Sequence, residues 1–182
     1  MAFTLLKPTG IDLSQTFAFT GDVTGAGGGK LLQVQSVNFT SGVTSVTSNS
    51  FTATEVTDQI TPSATSSKIL VIFNISISMS EGSGSGCKYQ AGIYRQINGG
   101  GYSRFYAGSG NSYGGIGQND TWTSLSTSVP TTMTFLDTSH NTTNAIDYKL
   151  YLSLLTSSGQ GDNVNTGASN QERSVTLMEI GA

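Results

Sequence analysis

The chain has 182 residues and a formal net charge of −3 at pH 7, and only 10% of its residues are charged, whereas a typical soluble domain carries about 25%. Eight Lys and Arg residues in a chain with a pI near 4.9 cannot neutralise a track of phosphates, so we expect no nucleic-acid partner. Leu, Ile, Val and Phe make up about 23% of the residues, above the roughly 20% below which chains stay disordered. We therefore expect a folded domain.

The sequence also disfavours a membrane protein and a fold that depends on disulfides. No stretch approaches 18 apolar residues, and the first ten residues lack the apolar run of a signal peptide, so we expect no membrane partner. Cys87 is the only cysteine, which excludes an intrachain disulfide and a multi-thiolate metal site.

Residues 1–29 predict an extended N-terminal arm. Turn signals occur at Lys7–Gly10 and Gly21–Asp22, and the run Gly25–Gly29 predicts a flexible joint to the rest of the chain. The arm is too apolar to be a free tail, so we expect it to dock on a neighbouring subunit or another protein; the alternative is an ordinary edge strand and loop of the same domain. The predicted arm-docking residues are Phe3, Leu5, Leu6, Ile11, Leu13, Phe17 and Phe19.

Residues 30–182 form the predicted body, in which apolar and polar residues alternate as in strands buried on one face. The first predicted strands are Leu31–Phe39 and Phe51–Thr57. In the former, the apolar phase changes between Val34 and Val37, which predicts a β-bulge.

The clearest predicted strand is Lys68–Met79. Its apolar residues at alternate positions predict a buried face, while the opposite face changes from apolar at Leu70 and Ile72 to polar at Asn74. The predicted inward residues are Ile69, Val71, Phe73, Ile75, Ile77 and Met79.

Two further long strands are predicted at Cys87–Ile97 and Ala145–Leu155. Their expected inward residues are Cys87, Tyr89, Ala91 and Ile93 in one, and Ile146, Tyr148, Leu150, Leu152 and Leu154 in the other. Shorter strands are predicted at Tyr102–Tyr106, Thr121–Thr127, Thr131–Asp137 and Arg173–Ile180. About nine strands joined by Gly/Ser/Asn turns, with no crossover helices, predict an all-β fold: an antiparallel β-sandwich or jelly-roll-like knob.

Three blocks occur in order along the body. Ile60–Val71 (ITPSATSSKILV) leads into the longest strand, Thr134–Ser139 (TFLDTS) precedes Ile146–Leu150 (IDYKL), and Ser174–Ala182 (SVTLMEIGA) closes the chain. Together they resemble tailed-phage virion proteins, especially those of cyanophages and other marine or freshwater phages. The glycine-flanked segment Phe17–Gly25 resembles the linker of such proteins.

That resemblance implies a non-enzymatic virion structural protein: a β-sandwich that assembles as a homotrimer on the virion surface after synthesis in the bacterial host cytoplasm. Relatives of this type are tail-fibre, head-fibre or decoration components. An arm with a single knob favours a capsid decoration or cement protein, with itself and phage capsid or tail proteins as partners. The alternative is a short tail fibre or receptor-binding tip that recognises host-surface glycan.

No catalytic, metal or cofactor site is predicted. His140 is the only histidine, and we expect it to be exposed in a turn. The acidic residues are scattered and expected at turns and strand ends, and Gly114–Gly117 and Gly159–Asn163 lack the Lys-Ser/Thr or spaced acids of phosphate and calcium loops.

An aromatic set in the middle of the chain predicts a surface of contact. Rings among Gly, Ser and Asn can stack on sugars, and Tyr and Arg are also enriched in protein interfaces, so glycan contact and the trimer interface are both open. The residues are Tyr94, Arg95, Tyr102, Arg104, Tyr106, Tyr113 and Trp122, with Phe105 between them.

Overall fold

A computed structural model describes residues 30–80, 87–105, 117–120, 126–156, 162–167 and 171–181. These ranges contain eleven strands and no helix, and every strand pairing is antiparallel. The strands are β1 (Leu31–Phe39), β2 (Ser45–Val46), β3 (Thr52–Ile60), β4 (Lys68–Ser80), β5 (Cys87–Ile97), β6 (Ser103–Arg104), β7 (Gly117–Asp120), β8 (Ser126–Asp137), β9 (Ile146–Thr156), β10 (Asn163–Asn165) and β11 (Arg173–Ile180). The predicted all-β antiparallel sandwich is confirmed.

Sheet A is built around β4. On one side, β8 pairs with β4 along its length, from Ile69 opposite Asp137 to Ser80 opposite Ser126. On the other side, β11 pairs with the first half of β4 and β10 with its last three residues. β1 continues the sheet beyond β11, and β2 continues it beyond β10.

Sheet B has the order β3-β9-β5, and β6 and β7 share the far side of β5. β9 forms a long pairing with β5, so that Leu150 lies opposite Ile93 and Leu152 opposite Ala91.

The apolar core lies between the two sheets and is supplied by alternate residues of the long strands. The six predicted inward residues of β4 are all buried, as are Tyr89, Ala91 and Ile93 of β5 and the five predicted inward residues of β9. Alternation of this kind needs only chain-local information, which explains why the sequence predicts it well.

Two details of the strand predictions are wrong. The register of β1 is regular from Gln33 to Phe39, and the irregularity lies between Leu31 and Gln33 instead. The change of apolar phase has another origin: Val37 packs against the core, whereas Val34 is exposed on the outer face of sheet A. β1 therefore carries apolar residues on both faces.

The second correction concerns Pro130, which separated two predicted strands. The structure has one strand, β8, that runs through it. Among the described residues β8 pairs only with β4, so Pro130 lies in an edge strand, where a missing N–H is tolerated. Residues 121–125 of the predicted strand, and the whole predicted arm, lie outside the described residues.

Candidate interaction surfaces

One end of the sandwich, here called the arm end, gathers the termini of many strands. β1 and β4 begin there, at Leu31 and Lys68, and β11 and β8 end there, at Ile180 and Asp137. Lys30, the first described residue, also lies at this end, where its carbonyl oxygen accepts a hydrogen bond from Gly181 N–H.

A buried carboxylate, Asp137, joins the two sheets at the arm end. Its Oδ2 accepts hydrogen bonds from Arg95 Nη1 and from the Tyr148 hydroxyl, both at 2.6 Å. Its Oδ1 accepts from the backbone N–H and the hydroxyl of Ser139, at 2.9 and 3.1 Å. Burial works to raise the pKa of Asp137, but the donors Tyr148, Arg95 and Ser139 outweigh it and lower that pKa.

A second buried carboxylate, Glu179, holds the turn before β4 in place. Its Oε1 accepts from the backbone N–H and the hydroxyl of Ser63, at 2.7 and 2.8 Å, and its Oε2 accepts from Gln33 Nε2 at 2.6 Å. Burial opposes ionisation, but hydrogen bonds from Ser67, Gln33 and Ser63 lower the pKa of Glu179 to about 2. The donors that surround this carboxylate, Ser63 and Gln33, are neutral, so uncharged groups hold it ionised.

His140 is buried, so its predicted exposure in a turn is wrong. Its Nε2 lies 2.8 Å from the carbonyl oxygen of Ser67, and its Nδ1 lies 3.0 Å from the carbonyl oxygen of Thr142. The ring thus ties the loop after β8 to the turn before β4. The sequence around His140, a turn rich in Ser and Asn, does not indicate the contact with Ser67, because the two residues are 73 positions apart.

The three blocks that resemble phage virion proteins meet at these contacts. Ser63 of the first block bonds Glu179 of the last, and Asp137 bonds Tyr148 within the middle pair. Polar residues of the blocks therefore form the hydrogen bonds that hold the two sheets and the turn before β4 together at the arm end. The resembling segment Phe17–Gly25 lies outside the described residues.

A buried cation, Arg173, joins β11 to β3 and to the loops around Ser41 and Thr166. Its Nη1 donates to Glu55 Oε1 at 2.6 Å and to the carbonyl oxygen of Thr166 at 2.8 Å, and its Nη2 donates to the carbonyl oxygen of Ser41 at 3.0 Å. Beside it, Gly167 has a φ of +90° and lies so close to β4 that a Cβ would be 2.9 Å from the carbonyl oxygen of Ser76.

Sequence reasoning overlooked both charges of β11, although a signal was present. Strict alternation in Arg173–Ile180 places Arg173 and Glu179 on the same face as Val175 and Leu177. A charge on the apolar face of a strand predicts a buried, hydrogen-bonded group.

The outer face of sheet B carries an aromatic cluster made of Phe51, Tyr94, Tyr102 and Tyr151. The rings of Tyr94 and Tyr151 stack with centroids 3.9 Å apart, and those of Tyr102 and Tyr151 are 6.0 Å apart. Gly92 makes room for Phe51, since a Cβ there would lie 3.2 Å from the Phe51 ring. All four side chains are partly exposed.

Two cations cover parts of this aromatic cluster. The guanidinium carbon of Arg104 lies 4.3 Å from the centroid of Phe51, and Lys149 Nζ lies 4.9 Å from that of Tyr102. Desolvation is the first cause that raises the pKa of both Tyr102 and Tyr151, and the Asp147 carboxylate adds to it at Tyr102. The rings are thus in contact with one another and with cations, and they remain partly exposed to solvent.

The structure divides the predicted aromatic set. It brings Tyr94, Tyr102 and Arg104 together on sheet B and adds Phe51, Tyr151 and Lys149, which sequence reasoning missed. Arg95 alternates with Tyr94 along β5 and instead reaches Asp137, with its guanidinium carbon 5.0 Å from the Phe105 centroid. The remaining predicted members, Tyr106, Tyr113 and Trp122, lie outside the described residues.

The outer face of sheet A carries a different surface, here called the apolar row. Val34 lies opposite Met178, Met178 opposite Leu70, and Leu70 opposite Leu136, so four neighbouring strands each contribute one side chain. Val34 and Leu136 are 48% and 47% exposed, and the neighbouring Leu31 and Leu32 are 54% and 41% exposed. Toward the other end the same face is polar and forms an open groove lined by Asn74, Ser76, Pro130, Thr132, Gln171 and Glu172.

Within the described ranges, no three His, Cys, Asp or Glu side chains gather as they would around a metal ion. The same ranges hold no helix long and apolar enough to cross a membrane.

Comparison of the sequence with protein-family models finds no match, and comparison with curated proteins finds no match either. The resemblance to phage virion proteins therefore rests on the three ordered sequence blocks.

Proposed function

We propose that this protein is a non-enzymatic phage virion component, a homotrimeric capsid decoration or cement protein anchored by its N-terminal arm. The observation that carries the proposal is the meeting of the three blocks at the arm end. Blocks that are separate in the sequence resemble one family. In the fold they are joined by the hydrogen bonds Ser63–Glu179 and Asp137–Tyr148, and His140, which directly follows the middle block, bonds Ser67 of the first.

The physical character of the body supports a packing role. Stability rests on an apolar core and on buried carboxylates that are occupied by internal hydrogen bonds. The outer faces carry hydroxyls, aromatic rings and apolar side chains with few charges. Surfaces of this kind suit a protein that stands among identical neighbours, because little charge must be desolvated on contact.

A trimer would combine three weak anchors. If each arm contributes a modest apolar contact to the particle, the three contacts act together at high effective concentration and give durable attachment. Of the predicted arm-docking residues, those proposed to reach the particle are Phe3, Leu5, Leu6, Ile11 and Leu13.

The test is imaging of the particle combined with rebinding. Light scattering on the purified chain is expected to give three copies, and particle images are expected to show many copies at local three-fold positions. A variant with Phe3→Ser, Leu5→Ser and Leu6→Ser should lose occupancy on particles stripped of the protein, whereas Thr4→Ala with Thr9→Ala should retain it. Normal occupancy of the first variant would reject anchoring by the arm, and a few copies at the tail would reject decoration.

A second candidate function is glycan recognition at a fibre tip, favoured by the partly exposed aromatic cluster of sheet B. Tyr102 and Tyr151 are partly exposed beside Asp147 and Lys149, and aromatic rings next to charged groups can stack on a sugar and bind its hydroxyls. A glycan array probed with the purified protein tests it: binding that Tyr102→Ala removes and Thr132→Ala retains would support this role. Absence of binding at high valency would reject it.

A further inference from the structure

We propose that Phe17 and Phe19, the apolar arm residues nearest to the body in the sequence, bind to the apolar row of sheet A in the same chain. The remaining apolar arm residues, from Phe3 to Leu13, would then project beyond the body. The inference goes beyond the proposed function, because it concerns the isolated chain and holds whether or not the protein decorates a particle.

The apolar row has the character of a contact surface. Single exposed apolar residues are ordinary, but contiguous apolar patches on a soluble domain mark sites of contact. Here the four side chains are adjacent by strand register: Val34 and Leu136 at the ends are exposed, and Met178 and Leu70 between them are half-buried. They are confined to the arm end of a face that becomes polar toward Thr132.

The arm joins the body beside this row. The Lys30 carbonyl oxygen accepts a hydrogen bond from Gly181 N–H at 2.8 Å, and Leu31 lies opposite Ile180, so the point where the arm enters is fixed at the edge of the face. The row spans three interstrand spacings, about 14 Å. Ten residues separate Phe19 from Lys30, and ten extended residues reach about 33 Å.

Tethering favours this occupant over a free partner. A segment attached at the edge of a surface meets it at high effective concentration, so a small apolar contact suffices to hold it. The glycines at 25 and 27–29 allow the chain to reverse toward the face.

The sequence around Phe17 and Phe19 matches the row in character. The two residues alternate with Thr16, Ala18 and Thr20, so an extended chain would place both rings on one side, about 7 Å apart. No charged residue occurs between Leu13 and Thr20, and none of the four side chains of the apolar row is charged. Docking therefore desolvates no charge on either partner.

Hydrogen exchange measured by mass spectrometry on the full-length chain tests the proposal. In the wild type we expect the backbone amides of residues 14–20 to exchange on the order of tenfold more slowly than in Leu136→Lys. Thr132→Lys is the matched control, because it places the same charge on the same strand and face but outside the row; it should leave the exchange slow. Val34→Lys repeats the test from the opposite end of the row, in case Leu136→Lys does not fold.

Each other result would overturn the assignment. Equal exchange of residues 14–20 in the wild type, Leu136→Lys and Val34→Lys would show that the row does not hold the arm. If the slow exchange of residues 14–20 disappears on dilution, the row binds the arm of a neighbouring chain. A change in oligomeric state with unaltered arm exchange would assign the row to a second copy of the body.

Discussion

The Tyr148 hydroxyl donates to the Asp137 carboxylate at 2.6 Å, and both side chains are completely buried between the sheets. The pair links the last residue of β8 in sheet A to β9 in sheet B. Burial and the neighbouring Asp137 raise the pKa of Tyr148 far above its ordinary value, so the phenol keeps the proton that it donates to Asp137.

Removing the phenol oxygen should destabilise the fold. Tyr148→Phe keeps the ring but takes one donor from a buried carboxylate, and we expect a loss of about 1.5–3 kcal/mol in the free energy of unfolding. Tyr94→Phe on the outer face of sheet B is the matched control and should change it by less than about 0.5 kcal/mol. Urea denaturation of both variants provides the measurement, and equal midpoints would contradict a buried Asp137–Tyr148 bond.

Acid should weaken the arm end at a defined pH. The folded-state pKa of Glu179 is about 2, below the ordinary 4.5, so folding favours the ionised carboxylate. The stabilisation is complete above the unfolded-state pKa and is lost as the pH falls from about 5 toward 2. Asp137, whose pKa is also lowered, contributes in the same direction.

Glu179→Gln isolates this contribution. The variant should be less stable than the wild type at pH 7, and its free energy of unfolding should fall less steeply between about pH 5 and 2. Glu172→Gln, an exposed position on the same segment, should preserve the wild-type slope. If Glu179→Gln keeps that slope as well, the hydrogen bonds from Ser63 and Gln33 do not control acid stability.

Arg173 should be the most sensitive cation in the described part of the chain. Arg173→Met removes the cation that pairs with Glu55 and the donor to the carbonyl groups of Ser41 and Thr166, and we expect a loss of about 3–5 kcal/mol in the free energy of unfolding. Arg173→Lys should recover only part of it, because an ammonium cannot reproduce the planar fork. Thermal unfolding is the readout, and Arg104→Met is the exposed control; similar melting temperatures for Arg173→Met and Arg104→Met would show that the buried ion pair is not formed.

The core prediction concerns Phe73, which is fully buried at the centre of β4. Phe73→Ala should cost about 3–5 kcal/mol, because it removes a large apolar side chain and leaves a cavity between the sheets. The neighbouring Asn74→Ala, on the outer face, should cost about 1 kcal/mol or less. Chemical denaturation that finds the two variants equally stable would show that the faces of β4 are reversed.

The strands that could be predicted are those whose pattern is local. β1, β4, β5, β9 and β11 begin and end within a residue of the predicted bounds, because alternation along a strand is visible without knowing its neighbours. β6 (Ser103–Arg104) lies within the predicted strand Tyr102–Tyr106 but is shorter than it in the described residues. β2 and β10 were not predicted, because strands of two or three residues exist only through their partners.

The candidate surfaces could be predicted only in part, because they depend on which strands pair. Tyr94, Tyr102 and Arg104 were predicted to form a contact surface, but their union with Phe51 and Tyr151 required the pairing of β5 with β9. The apolar row was overlooked for a related reason. Val34 and Leu136 each have an unremarkable sequence context and become a surface only when β11 and β4 lie between them.

Residue types and local alternation are enough to predict the neutral, Ser/Thr-rich strands, the buried face of each long strand and the apolar character of residues 1–29. The burial of His140, the ion pair of Arg95 with Asp137 and the hydrogen bond from Ser63 to Glu179 could not be predicted in this way. The physical reason is distance along the chain. Alternation acts between residues two apart, whereas these hydrogen bonds join residues 42 to 116 positions apart and exist only after the sheets have paired.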